Sequence, residues 1–294
     1  MAGKNSSGQI DETAGRGAST GIEKDAARTL MERFERKRFL AAVLQKIVMV
    51  VGVMASCYHL TYAYYHPFFA LDHRAIHWIF MSALIFLLYP ALKSFSPRTR
   101  PSVFDMIFLA ASVGICTWIF VYSGPIMMRA GSFQRQDVIA GTALLVNVLE
   151  AARRSTGLPV PVVACIFLLY AFAGRHLPDI IAHRGYSLER ISTYLSLSTD
   201  GIFGIPLGVS ANFIFLFILY GAILRKSGAG QFFTDIAFAM TGSSRGGPAK
   251  AAVVSSCLFG MISGSSVANT VTTGSFTIPL MKRTGYPSHF AGAV

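Results

Sequence analysis

Between Ser263 and Ser275 the chain reads Ser-Gly-Ser-Ser-Val-Ala-Asn-Thr-Val-Thr-Thr-Gly-Ser. Hydroxyls, glycines and one amide crowd the middle of an otherwise apolar stretch. From Ala251 to Met281 there is no Asp, Glu, Lys or Arg. Such groups cannot run acid–base or metal-hydrolytic chemistry at neutral pH. They supply oxygen lone pairs and free backbone N–H groups. Hydroxyl and carbonyl oxygens suit a hard cation such as Na⁺, and exposed N–H groups at a helix start suit a carboxylate. Ser263, Gly264, Ser265, Ser266, Asn269, Thr270 and Thr273 are the candidate ion and substrate ligands on this reading.

The run is longer than the roughly 20 residues that cross a bilayer. Lys250 precedes it and Lys282-Arg283 follows it, so both flanks read as cytoplasmic. A re-entrant hairpin satisfies both facts. One half-helix over 249–262 rises, the chain turns at Ser-Gly-Ser-Ser, and a second half-helix over 267–281 returns to the same side. Irregular backbone at that depth is tolerated only against protein or a water-filled cavity. The plainer alternative is close helix packing, with Ser and Thr bonding back to their own helix. Excess length and like-charged flanks favour the hairpin.

Other chemistry is poorly supported. Gly242-Ser-Ser-Arg-Gly-Gly-Pro248 has Pro248 where a phosphate loop needs Lys, and it reads as a cap for the incoming half-helix. His73 and His77 stand four apart, with no HExxH frame, and read as residues of a span entrance rather than a metal site. Cys57, Cys116, Cys165 and Cys257 each sit singly in an apolar run, so neither a disulfide framework nor a metal site is expected. Gly242-Ser-Ser-Arg-Gly246 has the letters Gly-x-Ser-x-Gly, but no strand precedes it as a nucleophile elbow requires, and no cofactor is expected.

The elements that must hold the hairpin follow from composition. Of the 294 residues, 53% are hydrophobic and only 14% charged, with mean hydropathy +0.51. A soluble domain carries about 25% charged residues, so this is an all-α integral membrane protein. The net charge of +12 reads as positive-inside loops rather than a nucleic-acid surface. Membrane spans are expected over 41–63, 75–92, 104–124, 137–152, 158–175 and 203–224. Interfacial helices are expected near 186–200 and 229–240. Residues 1–40 form a basic, disordered cytoplasmic tail. The basic clusters, from Arg36-Lys37-Arg38 through Lys93, Arg98 and Arg100 to Arg153-Arg154 and Arg225-Lys226, fall on one side if the N-terminus is cytoplasmic. Arg129, Arg135, Arg175, Arg184 and Arg190 fall on the other.

Particular words in the last third carry a resemblance. They are Gly201-Ile-Phe-Gly-Ile-Pro-Leu-Gly208, Phe217 to Gly221, Ser227-Gly-Ala-Gly230, Arg245-Gly-Gly-Pro-Ala-Lys250, Ser263-Gly-Ser-Ser-Val-Ala-Asn269 and Gly274-Ser-Phe-Thr-Ile-Pro-Leu-Met281. Together they resemble the DctM-type large permease of tripartite ATP-independent periplasmic (TRAP) transporters. Tyr170-Ala-Phe-Ala-Gly174 and His183-Arg-Gly185 extend the likeness to the form in which small and large membrane subunits are fused, over residues 40–294. The resemblance implies small-subunit-like helices over 41–155 and the first part of the large permease over 156–294. It implies half of an inverted-repeat secondary transporter: six spans and one re-entrant hairpin. It also implies an inner-membrane location, Na⁺ coupling, a small organic acid as substrate, and a periplasmic binding protein, of TAXI type, as partner beside membrane lipid. Ser263, Gly264, Ser265, Ser266 and Asn269 fall on the family's first hairpin motif, with Ser266 where Ala is usual. Members continue into a second inverted half, so the chain reads as an N-terminal part. A membrane scaffold or sensor that only docks a periplasmic protein is the alternative, but it has no need of a polar hairpin.

Overall fold

The computed structural model describes residues 41–91, 100–129, 131–263 and 266–294. The expected tail over 1–40 and the Lys93 and Arg98 charges lie outside them. Every regular element among the described residues is helical. The order is α1 (Ala42–Tyr65), α2 (Ala70–Leu88), α3 (Val103–Met128), α4 (Arg135–Ser155), α5 (Pro159–Ala173) and α6 (Leu188–Leu197). Then come α7 (Ile205–Val209), a π-helical segment (Ser210–Ile214) and α8 (Phe215–Lys226). The chain goes on through α9 (Ala229–Thr241), α10 (Gly247–Ser263), α11 (Ser266–Arg283) and α12 (Ser288–Ala293).

Five stretches are long and apolar enough to cross a membrane: Ala42–Tyr65, Ala70–Leu88, Val103–Met128, Pro159–His176 and Ile205–Leu224. They coincide with five of the six expected spans. The sixth, 137–152, is helical as part of α4 but is not among them. The reason is in its residues: Asp137, Asn147, Glu150, Arg153 and Arg154 lie along α4. The apolar helices turn large side chains outward, including Val43, Met49, Ile166 and Phe167. Water would penalise that surface, and lipid does not.

Helix contacts divide the chain into two units. The first comprises residues up to Val53 with Ala75–Phe203, and the second Met54–Arg74 with Gly204–Val294. In the first unit, buried polar pairs fasten α3 to α4. Asn147 donates from Nδ2 to the Phe108 carbonyl (2.9 Å) and accepts at Oδ1 from Ser112 (3.1 Å). Arg154, fully buried, donates from Nη1 to Asp105 and from Nε to Glu150 at 2.7 Å. Its guanidinium lies over the rings of Phe86 (4.8 Å) and Phe108 (5.6 Å). Asp105 also accepts from the Ser102 backbone N–H (2.6 Å), which caps α3. The helix found near 186–200, where an interfacial one was expected, is α6, and it lies on α4: Ser196 donates to the Gly141 carbonyl at 2.8 Å. A Cβ at Gly141 would stand 2.8 Å from the Ser192 carbonyl oxygen, so only glycine admits this approach.

In the second unit the end of α1 and the start of α2 meet α7, the π segment and α8. The Tyr62 and His73 rings stack at 3.4 Å, and Tyr58 Oη lies 2.9 Å from His73 Nδ1. His59 stacks on Phe215 at 4.0 Å and bonds the Ala55 carbonyl at 2.7 Å. His73 and His77, read as residues of a span entrance, are both buried, and no group of three or more His, Cys, Asp or Glu among the described residues could hold a metal ion. The π segment carries Asn212, whose Nδ2 donates to the Gly208 carbonyl at 2.9 Å. All four cysteines are unpaired.

Candidate functional site

The candidate site lies where α10 gives way to α11. The chain enters it from α9 through a glycine turn. Ser244 N–H donates to Thr241 O (3.0 Å), Gly247 N–H to Ser244 O (2.9 Å), and Gly246 takes φ 76°. Gly247 passes so close to Gly242 that a Cβ there would stand 2.5 Å from the Gly242 carbonyl oxygen. Pro248, second in α10, needs no N–H partner in a first turn. The Gly242–Pro248 turn leads directly into α10, and the Lys250 N–H donates to the Gly246 carbonyl at 3.0 Å. Lys250 reaches back to the Ser244 hydroxyl at 3.3 Å.

Small residues bring α9 and α10 together. Ala237 and Ala251 are fully buried, and the buried hydroxyls of Thr234 and Ser255 meet at 3.0 Å. α10 and α11 then pair as an antiparallel hairpin. At its open end Ala252, Met281 and Ala291 form a buried cluster with Ala249, Ile278 and Tyr286 against it. At its apex Asn269 of α11 donates from Nδ2 to both the carbonyl (3.0 Å) and the hydroxyl (3.1 Å) of Ser256 on α10. A backbone carbonyl only accepts, so this contact fixes which way the amide points. The Asn269 Oδ1 is buried and has no hydrogen-bond partner among the described residues. Opposite it, Gly260 leaves room: a Cβ there would stand 3.1 Å from Asn269 Nδ2.

The sequence-expected residues divide accordingly. Gly264 and Ser265, and the Ser263 side chain, lie outside what is described. Ser266 opens α11 and is exposed. Thr270 is exposed and donates to the Ser266 carbonyl (2.9 Å), while Thr273 is buried and donates to the Asn269 carbonyl (2.8 Å). Thr277 repeats the pattern on Thr273 (2.9 Å). These threonines satisfy their protons within the helix, and their oxygens keep lone pairs. Pro279 has no N–H for the Ser275 carbonyl, so the ladder of α11 is interrupted there. Lys282 and Arg283 close the last turn, where the helix dipole favours cations.

The turn expected at Ser-Gly-Ser-Ser falls on Gly264 and Ser265, outside the described residues; both arms extend two residues or so beyond their expected outer bounds. At 1.5 Å per residue, each arm is about 25 Å long, against a hydrocarbon core of about 30 Å. An arm of that length stops at mid-membrane only when strongly inclined. Sequence reasoning missed Ser256 and the Thr234–Ser255 pair. The adjacent serines in apolar α10 were the available signal, but their partners depend on hairpin register.

Residues 143–294, just over half of the chain, match the family model described as "Tripartite ATP-independent periplasmic transporter, DctM component". The chain belongs to this family. The match takes in the end of α4 and every element after it, so the whole hairpin lies inside the DctM region. Among similar curated proteins, the "C4-dicarboxylate TRAP transporter large permease protein DctM" of Pseudomonas aeruginosa is 41% identical over 78 residues. That alignment covers 26% of this chain and 18% of the relative. The protein of the same name from Rhodobacter capsulatus is 29% identical over 155 residues, covering 52% of this chain and 31% of the relative. The chain thus spans less than a third of the length of these DctM relatives. No solved structure matches it.

Proposed function

We propose that the chain is a permease part of a TRAP-type secondary transporter of the bacterial inner membrane. It imports a small organic acid, delivered by a periplasmic binding protein of TAXI type, using the Na⁺ gradient, with its N-terminus in the cytoplasm. The α10–α11 hairpin carries the site. Ser263, Gly264, Ser265, Ser266, Asn269, Thr270 and Thr273 supply ion and substrate ligands, and Ser256 positions Asn269. The names of the relatives, which specify C4-dicarboxylates, favour a carboxylate.

One observation carries this reading: the Asn269 amide is pinned by Ser256 while its Oδ1 stays buried and, among the described residues, without a partner. A buried carbonyl oxygen left unpaired is costly, about 1–3 kcal/mol. A cation or a substrate hydroxyl at the apex removes that cost. The uncharged surroundings suit one Na⁺, which needs oxygen dipoles rather than a fixed carboxylate. Free N–H groups at the start of α11 add a place for a carboxylate. The test is Na⁺-driven uptake in proteoliposomes with the full-length permease and its binding protein. Asn269→Ala should raise the Na⁺ needed for half-maximal uptake about tenfold, the loss of one charge-assisted contact, without impairing insertion. An unchanged Na⁺ requirement would remove Asn269 from the site.

A further inference from the structure

A second candidate site lies in the first unit. α4, α5 and α6 enclose an open cleft of about 750 Å³. Its walls are apolar: Leu145 and Leu149 from α4, Phe167 and Leu168 from α5, Tyr194 and Leu195 from α6. Arg184 and Arg190 stand at its edge with Tyr186 between them. Both guanidiniums lie over the Tyr186 ring, at 5.5 and 6.0 Å from its centroid. Neither side chain makes an ion pair or hydrogen bond among the described residues. Elsewhere in this unit Arg153 and Arg154 hold Glu150, and Arg129 faces Asp137. Two unmatched cations beside an apolar cleft therefore call for an anion attached to an apolar body.

We propose that this cleft binds an acidic phospholipid, one acyl chain lying between α4, α5 and α6 and the phosphate held by Arg184 and Arg190. The volume is that of a typical small-molecule site, roughly 300–1,000 Å³. One wall, α5, is among the helices apolar enough to span the bilayer, so the cleft opens where acyl chains are the solvent. Arginine matches phosphate with paired N–H donors, and the Tyr186 ring holds both forks in place. A small organic acid would satisfy the arginines but leave the apolar walls in contact with water. An apolar helix would fill the walls but leave two charges without partners.

The test is native mass spectrometry of the full-length permease in detergent, with phosphatidylglycerol and phosphatidylcholine of equal chain length added in competition. The parent should retain one phosphatidylglycerol per chain with about tenfold preference, as expected for charge-assisted contacts to phosphate. Arg184→Gln with Arg190→Gln should abolish the preference, with unfolding in detergent unchanged. Leu168→Trp, which fills the cleft and spares the arginines, should abolish retention of both lipids. Equal retention of the two lipids by the parent would overturn the proposal. Displacement of the lipid by inorganic phosphate alone would overturn the acyl-chain half of it. Unaltered lipid binding in the Trp variant would place the lipid elsewhere and refute the cleft.

Discussion

Gly260→Ala makes the most discriminating perturbation, because stability and function should part company. The new Cβ would stand 3.1 Å from Asn269 Nδ2, with Asn269 Cγ the next atom at 4.0 Å. Ordinary contact begins near 3.4 Å, so the amide must retreat by a few tenths of an ångström. Its bonds to Ser256, now 3.0 and 3.1 Å, would stretch toward the limit of useful hydrogen bonding. Two weakened bonds cost about 1 kcal/mol in all. Alanine in place of glycine within a helix returns about 1 kcal/mol, so net stability should stay within about 1 kcal/mol of the parent. The site gains nothing in return. A 1 Å misplacement costs about a hundredfold where geometry is critical, so a few tenths should raise the Na⁺ requirement about threefold to fivefold. Two measurements on the full-length permease settle it: unfolding in mixed micelles followed by helicity, and the Na⁺ titration of uptake. An Na⁺ curve superimposable on the parent's would refute the claim that Gly260 sets the position of Asn269 for ion binding.

Arg154→Met should destabilise the first unit by about 3–5 kcal/mol, because Asp105 is left buried without its cation. Adding Asp105→Asn, which keeps an acceptor for the Ser102 N–H, should recover most of that loss in the same unfolding assay. Recovery of none of it would deny the coupling. Gly141→Val should cost about 1–3 kcal/mol by forcing α6 off α4, since the obstacle is Ser192 backbone and cannot rotate away. A melting curve identical to the parent's would show that the approach is not obligatory.

The spans were legible because a bilayer imposes a length and forbids charge, and five apolar runs declare themselves on those grounds alone. The end of α2 is marked by Pro90, so the reading of 75–92 slid a few residues late; the helix is Ala70–Leu88. α4 was read as a span from its apolar residues. Its polar ones proved to be tied to other helices through Asn147–Ser112 and Arg154–Asp105, which lie 35 and 49 residues apart in sequence. No local pattern discloses such partners. The hairpin was legible from an uncharged run too long for one helix. Within it, Asn269 stood out as a lone amide in apolar sequence. Ser256 did not, because its role exists only once α10 and α11 are placed in register.

The α3–α4 clamp also bears on how the chain is made. Each charged residue near the centre of an inserting helix costs about 3 kcal/mol, less toward its ends. α4 carries several toward its ends and is not among the helices long and apolar enough, by composition, to cross a membrane. Its partners are already present in α3, which is synthesised first: Asp105 for Arg154, and Ser112 and the Phe108 carbonyl for Asn147. We infer that α3 waits at the insertion machinery until α4 arrives, and that the two leave it as a pair. Glycosylation mapping in microsomes would report this directly, since α4 fused behind an unrelated span should fail to integrate, and efficient integration there would contradict the inference. The buried ion pair would then serve as a timing device during synthesis as well as a clamp in the finished protein.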